Sequence, residues 1–229
     1  MTATTIPAVP ARLDHLMLVV GDLARGVQEF AELTGVRPVR GGRHTSGGTA
    51  NYLVGVHPLP GVDALPPYLE ILGPDPEAAP EVRGLRSNLI GDASGPVLRT
   101  WLVRARDIEQ DVLRAAEAGY PVGDVGTLSR LTPEGQRLQW RLSRRRDLVF
   151  GGAQPGIIDW GEAAHPSEGL EPQITIESIE VAARDVAAAR GFLGALGLDV
   201  AVRQAEQDSL VARLGTPKGP ITISAAGVR

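Results

Sequence analysis

The chain is predicted to adopt an α+β fold of tandem βαβββ modules, paired into a half-open barrel that encloses a cavity, with a third βαβββ module at the C-terminal end. Three observations predict it. A helix-sized segment recurs three times, as VVGDLARGVQEFAELTGV (Val19 to Val36), VRARDIEQDVLRAAEAGY (Val103 to Tyr120) and VAARDVAAARGFLGALGL (Val181 to Leu198). Each copy is preceded and followed by short β-rich runs. A single such unit would leave one apolar sheet face open, so units must pair to cover it.

The first strand lies in LDHLMLVVGDL, residues 13–23. Strand alternation puts Leu13, His15, Met17 and Val19 on one side and Asp14, Leu16, Leu18 and Val20 on the other. Both faces are apolar beyond the first residues, so the strand is expected to be covered on both, with His15 at the end of a buried face and Asp14 as a plain strand-end residue. Each helix then carries its own punctuation. Asp22, Asp107 and Asp185 stand as N-caps that accept from unpaired backbone N–H groups, and Gly35, Gly119 and Gly197 follow where a left-handed residue closes the helix. Gln110, three after Asp107, has capping-box spacing. Leu23, Val27, Phe30 and Leu33 share one helical face.

The strands after each helix follow in order. VRPVR, ANYLVGV and YLEIL belong to the first module, with GGRHTSGG between the first two. VGDVGTL, QRLQWRLS and GIIDW belong to the second, and LDVAVRQ, SLVARLG and PITIS to the third. The expected boundaries are 12–168 for the first two modules (about 12–73 and 97–161) and 174–229 for the third.

Composition narrows the function. Of 229 residues, 43% are hydrophobic and 22% charged, as in ordinary globular domains. A net charge of −4 argues against nucleic acid as a partner. With no cysteine there is no thiolate metal site and no cysteine nucleophile. No stretch approaches membrane length, and MTATTIPAVPAR lacks a basic, apolar leader, so a cytoplasmic protein is expected. There is no G-x-S-x-G elbow and no P-loop.

LDHLMLVVGDL, GGRHTSGGTANYLV with YLEILGPDP, and IIDWGEAAHPS together resemble the vicinal-oxygen-chelate superfamily, and within it the glyoxalase-like domain group. The resemblance implies a metal in the cavity between paired modules, with ligands from the first and last strands of each. Carried over to this chain, the ligands are His15 and Glu70 with help from Asp159 or His44, and a one-residue shift of the last strand would put Ile158 in the place of Asp159. The implied cofactor is a divalent ion such as Zn²⁺, Mn²⁺, Fe²⁺ or Ni²⁺. Thr100 falls where the second module would place a histidine, and Ser178 and Thr222 hold the matching places in the third; none is a good ligand. Glu70 is the expected catalytic base, its face shared with Tyr68 and Leu72. Arg43, His44, Asn51 and Trp160 are the expected substrate contacts.

Local readings are assigned to the remaining motifs. His57 and His165 precede prolines and read as exposed turns, RRRD at 144–147 as a solvated basic turn, and the tryptophans chiefly as core. Two functions follow. One is a metal-dependent isomerase, lyase or dioxygenase acting on a small oxygen-rich substrate. The other is a metal-free protein that sequesters a small molecule in the same cavity. The third module, lacking a mate in the chain, is expected to pair with its copy in a homodimer.

Overall fold

A computed structural model describes residues 9–44, 46–82, 87–91, 93–144 and 147–229. The first module comprises β1 (Leu13–Val19), α1 (Leu23–Thr34), β2 (Val39–His44), β3 (Thr49–Val56) and β4 (Tyr68–Pro74). After the short helix α2 (Ser87–Ile90), the second comprises β5 (Val97–Arg104), α3 (Ile108–Glu117), β6 (Asp124–Leu131), β7 (Arg137–Arg144) and β8 (Gly156–Asp159). The C-terminal segment comprises β9 (Pro172–Ala183), α4 (Val186–Ala195), β10 (Ala201–Gln204), β11 (Ser209–Thr216), β12 (Gly219–Ser224) and the two-residue β13 (Gly227–Val228).

The helices begin and end as their sequence dictates. The carboxylates of Asp22, Asp107 and Asp185 accept from the backbone N–H of Arg25, Gln110 and Ala188, three residues on in each case. Gly35, Gly119 and Gly197 all have positive φ and end the helices. Leu23 and Phe30 of α1 are buried, but Leu33 is 45% exposed. The buried stripe runs instead through Gly26 and Thr34, because Gly26 lies against Val20, where a Cβ would clash.

The first two modules have one strand order. In the first it is β2-β3-β4-β1, with β1 parallel to β4; in the second it is β6-β7-β8-β5, with β5 parallel to β8. Antiparallel pairing of β1 with β5, and of β2 with β6, joins the halves edge to edge. The eight strands therefore close completely, where a half-open barrel was expected, and no barrel edge is left. The seams differ. The β1–β5 seam runs the length of both strands, whereas the β2–β6 seam is a single register pair, Arg43 with Leu131.

The C-terminal segment repeats the order of elements but not the order of strands. Here β9 pairs in parallel with β10 and antiparallel with β11, giving β10-β9-β11-β12-β13. The start of β9 continues the barrel's sheet by pairing with the end of β3 at Gly55 and Val56. The apolar face expected to seek a second chain is already covered. Ile176, Ile179, Val181, Leu210, Leu214 and Ile223 join the same core as Leu98, Trp101 and Ile108 of the second module. Phe150 stacks on Phe192 of α4 at 4.8 Å, and Tyr120 meets Phe192 edge-on. The reason for expecting a homodimer through this segment is thereby removed, since its hydrophobic surface is satisfied within the chain. No helix among the described residues is long and apolar enough to cross a membrane.

Candidate functional site

Inward-facing residues of the barrel strands surround a cavity of about 40 Å³, room for a few water-sized atoms. Alternation decides who faces it. From the first module come His15 and Met17 (β1), His44 (β2), Asn51 (β3), and Tyr68, Glu70 and Leu72 (β4). From the second come Leu102 (β5), Leu128 and Arg130 (β6), Trp140 and Leu142 (β7) and Ile158 (β8), followed by Trp160.

At the centre His15 Nε2 lies 3.5 Å from Glu70 Oε2. The other His15 nitrogen, Nδ1, is 2.7 Å from Asp14 Oδ1, and the ring stacks on Tyr68 with centroids 4.5 Å apart. The Asn51 side-chain amide donates to Glu70 Oε1 at 2.6 Å. His44 Nδ1 lies 3.2 Å from Thr49 Oγ1, and its ring meets Trp140 edge-on. Burial alone would lower the His15 pKa, but hydrogen bonds and charge from Asp14 and Glu70 outweigh it and raise the value to about 9. Burial would raise Glu70, yet the hydrogen bond and charge of His15, with help from His44 and Asn51, pull it down to about 2. The arrangement of His15 between two carboxylates thus favours its protonated form.

Asp14 is no plain strand-end residue. It is 0% exposed, and its carboxylate is shared by several donors. Besides His15, Oδ2 accepts from Arg104 Nε (3.1 Å) and Trp160 Nε1 (3.1 Å), and His165 Nε2 lies 3.0 Å away. Burial pushes Asp14 up, but the hydrogen bonds of His15 and His165 and the charge of His15 hold it well below the usual carboxylate range. His165, expected on an exposed turn, is buried. Its Nδ1 accepts the backbone N–H of Ser167 and caps a 3₁₀ turn, which leaves Nε2–H to donate to Asp14. Arg104 also donates to the carbonyls of Leu65 and Pro66, tying the loop before β4 to this cluster.

The other expected site residues divide. His44, Asn51 and Trp160 line the cavity; Arg43 and Asp159 do not. Arg43 turns away to pair with Asp75 at 2.7 Å and Glu77 at 3.0 Å. Asp159 is 34% exposed, caps its own turn at Gly161 N, and faces Arg141 across 3.6 Å. Ile158 takes the inward place, in phase with Leu142 across the β7–β8 pairing. Likewise Leu102, not Thr100, lines the cavity from β5. His57 is exposed as expected, and residues 145–146 of the basic turn lie outside the described residues.

Arg130 was missed. It is 4% exposed, in phase with Leu128 on β6, and its Nη1 has no hydrogen-bond partner among the described residues. Burial lowers its pKa, partly offset by Tyr68 and Glu70. The glycines of GGRH explain how it fits. A Cβ on Gly41 would lie 2.5 Å from Asn51 Oδ1 and 3.1 Å from Arg130 Nη1; on Gly42, whose φ is 143°, it would collide with the Leu131 carbonyl across the narrow seam.

These donors do not fit a three-ligand transition-metal centre. His15 and Glu70 converge, but among the described residues no three His, Cys, Asp or Glu side chains are grouped to hold an ion, and Arg130 adds a cation to the same cavity.

A family model described as a glyoxalase-like domain matches residues 13–197. No curated protein matches the chain. Among solved structures, a hypothetical protein from Staphylococcus aureus is 14% identical over 86% of this chain and 87% of its own, with a TM-score of 0.61. Methylmalonyl-CoA epimerase from Mycobacterium tuberculosis is 18% identical over 70% of this chain and 93% of its own, with a TM-score of 0.37. A mutant of 4-hydroxymandelate synthase from Streptomyces coelicolor is 14% identical over 94% of this chain and 62% of its own, with a TM-score of 0.44. With the family match spanning both barrel modules, the chain belongs to the glyoxalase-like domain family.

Proposed function

We propose that the protein is an enzyme that moves a proton on a small, oxygen-rich carbonyl compound held inside the barrel, with Glu70 as base and His15 as acid. The observation that carries this reading is the buried approach of His15 Nε2 to Glu70 Oε2, 3.5 Å, inside a cavity. The Glu70 carboxylate takes a proton from the carbon beside the carbonyl. The electron pair moves onto the carbonyl oxygen, and His15 gives its Nε2 proton to that oxygen. At rest Glu70 is a weak base, because the imidazolium holds its pKa down. The two transfers are concerted: as His15 passes its proton to the oxygen its hold on Glu70 weakens, and the carboxylate gains basicity while it takes the carbon-bound proton. Asp14 keeps His15 oriented, and Asn51 keeps Glu70 oriented. A divalent ion at His15 and Glu70, as the resemblance implies, would have two strong ligands and a guanidinium for a neighbour, so this reading rests on the side chains alone.

The test is hydrogen exchange in D₂O, followed by ¹H NMR, with pyruvate, hydroxypyruvate, glycolaldehyde and dihydroxyacetone as probes. The expected result is loss of the α-hydrogen signal with the wild-type protein, well above buffer, and return to the buffer rate with Glu70→Gln. Equal rates in the two proteins with every probe would overturn it. A second reading, a binding protein that sequesters a small molecule, is supported by the apolar wall of Met17, Leu102, Leu128, Trp140, Leu142 and Ile158. Saturable binding without exchange would favour it.

A further inference from the structure

We propose that Arg130 is an anchor for an anionic oxygen, so that the cavity selects a small carboxylate such as an α-keto acid over its neutral analogue. The inference rests on the proton-transfer reading for the identity of the site, but not on its chemistry. The argument is one of charge balance in a buried space. Asp14 is matched by Arg104 at 3.1 Å, and His15 stands between Asp14 and Glu70. Glu70 faces His15 at 3.5 Å and is held by Asn51. Arg130 is nine-tenths buried or more, lines the same cavity, and has an Nη1 with no hydrogen-bond partner among the described residues. A buried guanidinium nitrogen left unpaired is costly, and an anionic oxygen is the partner that offsets it with a charge-assisted bond.

The local backbone is arranged around this group. Gly41 and Gly42 both withhold a Cβ that would lie 3.1 Å from Arg130 Nη1, at the one-pair seam where β2 meets β6. A Cβ at either position would crowd Nη1, and at Gly41 it would also strike Asn51 Oδ1 at 2.5 Å. The rest of Arg130's own wall is apolar, through Leu142, Ile158 and Leu102, which suits the carbon side of a small acid. A ligand whose carboxylate meets Arg130 would present its neighbouring carbonyl toward the polar wall that carries His15 and Glu70.

Trp140 and Trp160 line the cavity, so their indole N–H signals report occupancy. Titrating the ¹⁵N-labelled protein with pyruvate and with pyruvamide is expected to give saturable shifts of those signals, with pyruvate bound roughly tenfold or more tightly. Arg130→Gln is expected to bring the ratio to about one, and Arg130→Lys to retain part of it. Should Arg130→Gln fail to fold, the wild-type comparison of acid with amide decides alone. Equal binding of the two by wild type, or an unchanged preference in folded Arg130→Gln, overturns the proposal. The exchange assay separates the two ideas: preference without exchange leaves the anchor standing and removes the chemistry, and exchange without preference does the reverse.

Discussion

The two halves of the barrel share one strand order and furnish opposite walls. The first module contributes His15, His44, Asn51, Tyr68 and Glu70; the second contributes Leu102, Leu128, Trp140, Leu142 and Ile158, with Arg130 as its charged exception. At matching places in the fold, the second module has Thr100 where the first has His15, and Gly156 on its last strand where the first has Glu70. The lesson is that a duplicated scaffold needs chemistry in one copy only. The other copy can supply the dry wall that strengthens electrostatics in its partner.

This division can be broken experimentally. The largest effect is expected from Glu70→Gln, a loss of about 10²–10⁴-fold in α-hydrogen exchange; a comparable loss from Ile158→Val would mean that the halves are not divided. Next is Asp14→Ala, which strands His15, His165, Arg104 and Trp160 without their acceptor. It should cost about 3–5 kcal/mol by urea unfolding, as for breaking a buried ion pair. A cost below about 1 kcal/mol would show that the cluster does not hold the barrel.

The pH dependence follows from the same groups. The folded pKa of His15 is raised, so its contribution is complete below about 6.5 and is lost as pH rises through about 9. The folded pKa of Glu70 is depressed, so its contribution is present above about 4.5 and is lost as pH falls toward about 2. Stability should therefore be greatest between about 4.5 and 6.5 as far as this pair is concerned, and its alkaline decline, about 3 kcal/mol, should vanish in His15→Gln. On the apolar wall, Ile158→Val should cost only about 0.5–1.5 kcal/mol and leave exchange within severalfold of wild type. Smallest of all, Asp159→Asn should stay within about 0.5 kcal/mol with exchange unchanged, because its carboxylate lies outside the cavity.

What the sequence disclosed was local and periodic. The three Asp caps and three Gly stops work within one turn of helix, so they are readable wherever they occur. Period-2 alternation likewise put His15 with Met17, and Glu70 with Tyr68 and Leu72, on a common inward face. It could not fix β8, where a one-residue slip exchanges Asp159 for Ile158. Long-range pairing was illegible. Asp14 and His165 are 151 residues apart in the chain, and nothing near either announces the other. A buried acid between apolar neighbours was nonetheless a signal, since it demands a partner. Arg130, in phase with Leu128, was another. The third repeat misled because helix caps recur without fixing strand order, and β10 fell beside β9 where its counterparts lie farther away.

The central claim is that His15 is an imidazolium clamped between Asp14 and Glu70. Ring ¹⁵N chemical shifts of His15 at pH 7.5 test it most directly. The account predicts two protonated nitrogens in the wild-type protein, with titration displaced upward toward 9 and moved back down in Glu70→Gln. A neutral ring with one protonated nitrogen, titrating near the ordinary value of 6.5 and indifferent to Glu70→Gln, would contradict it.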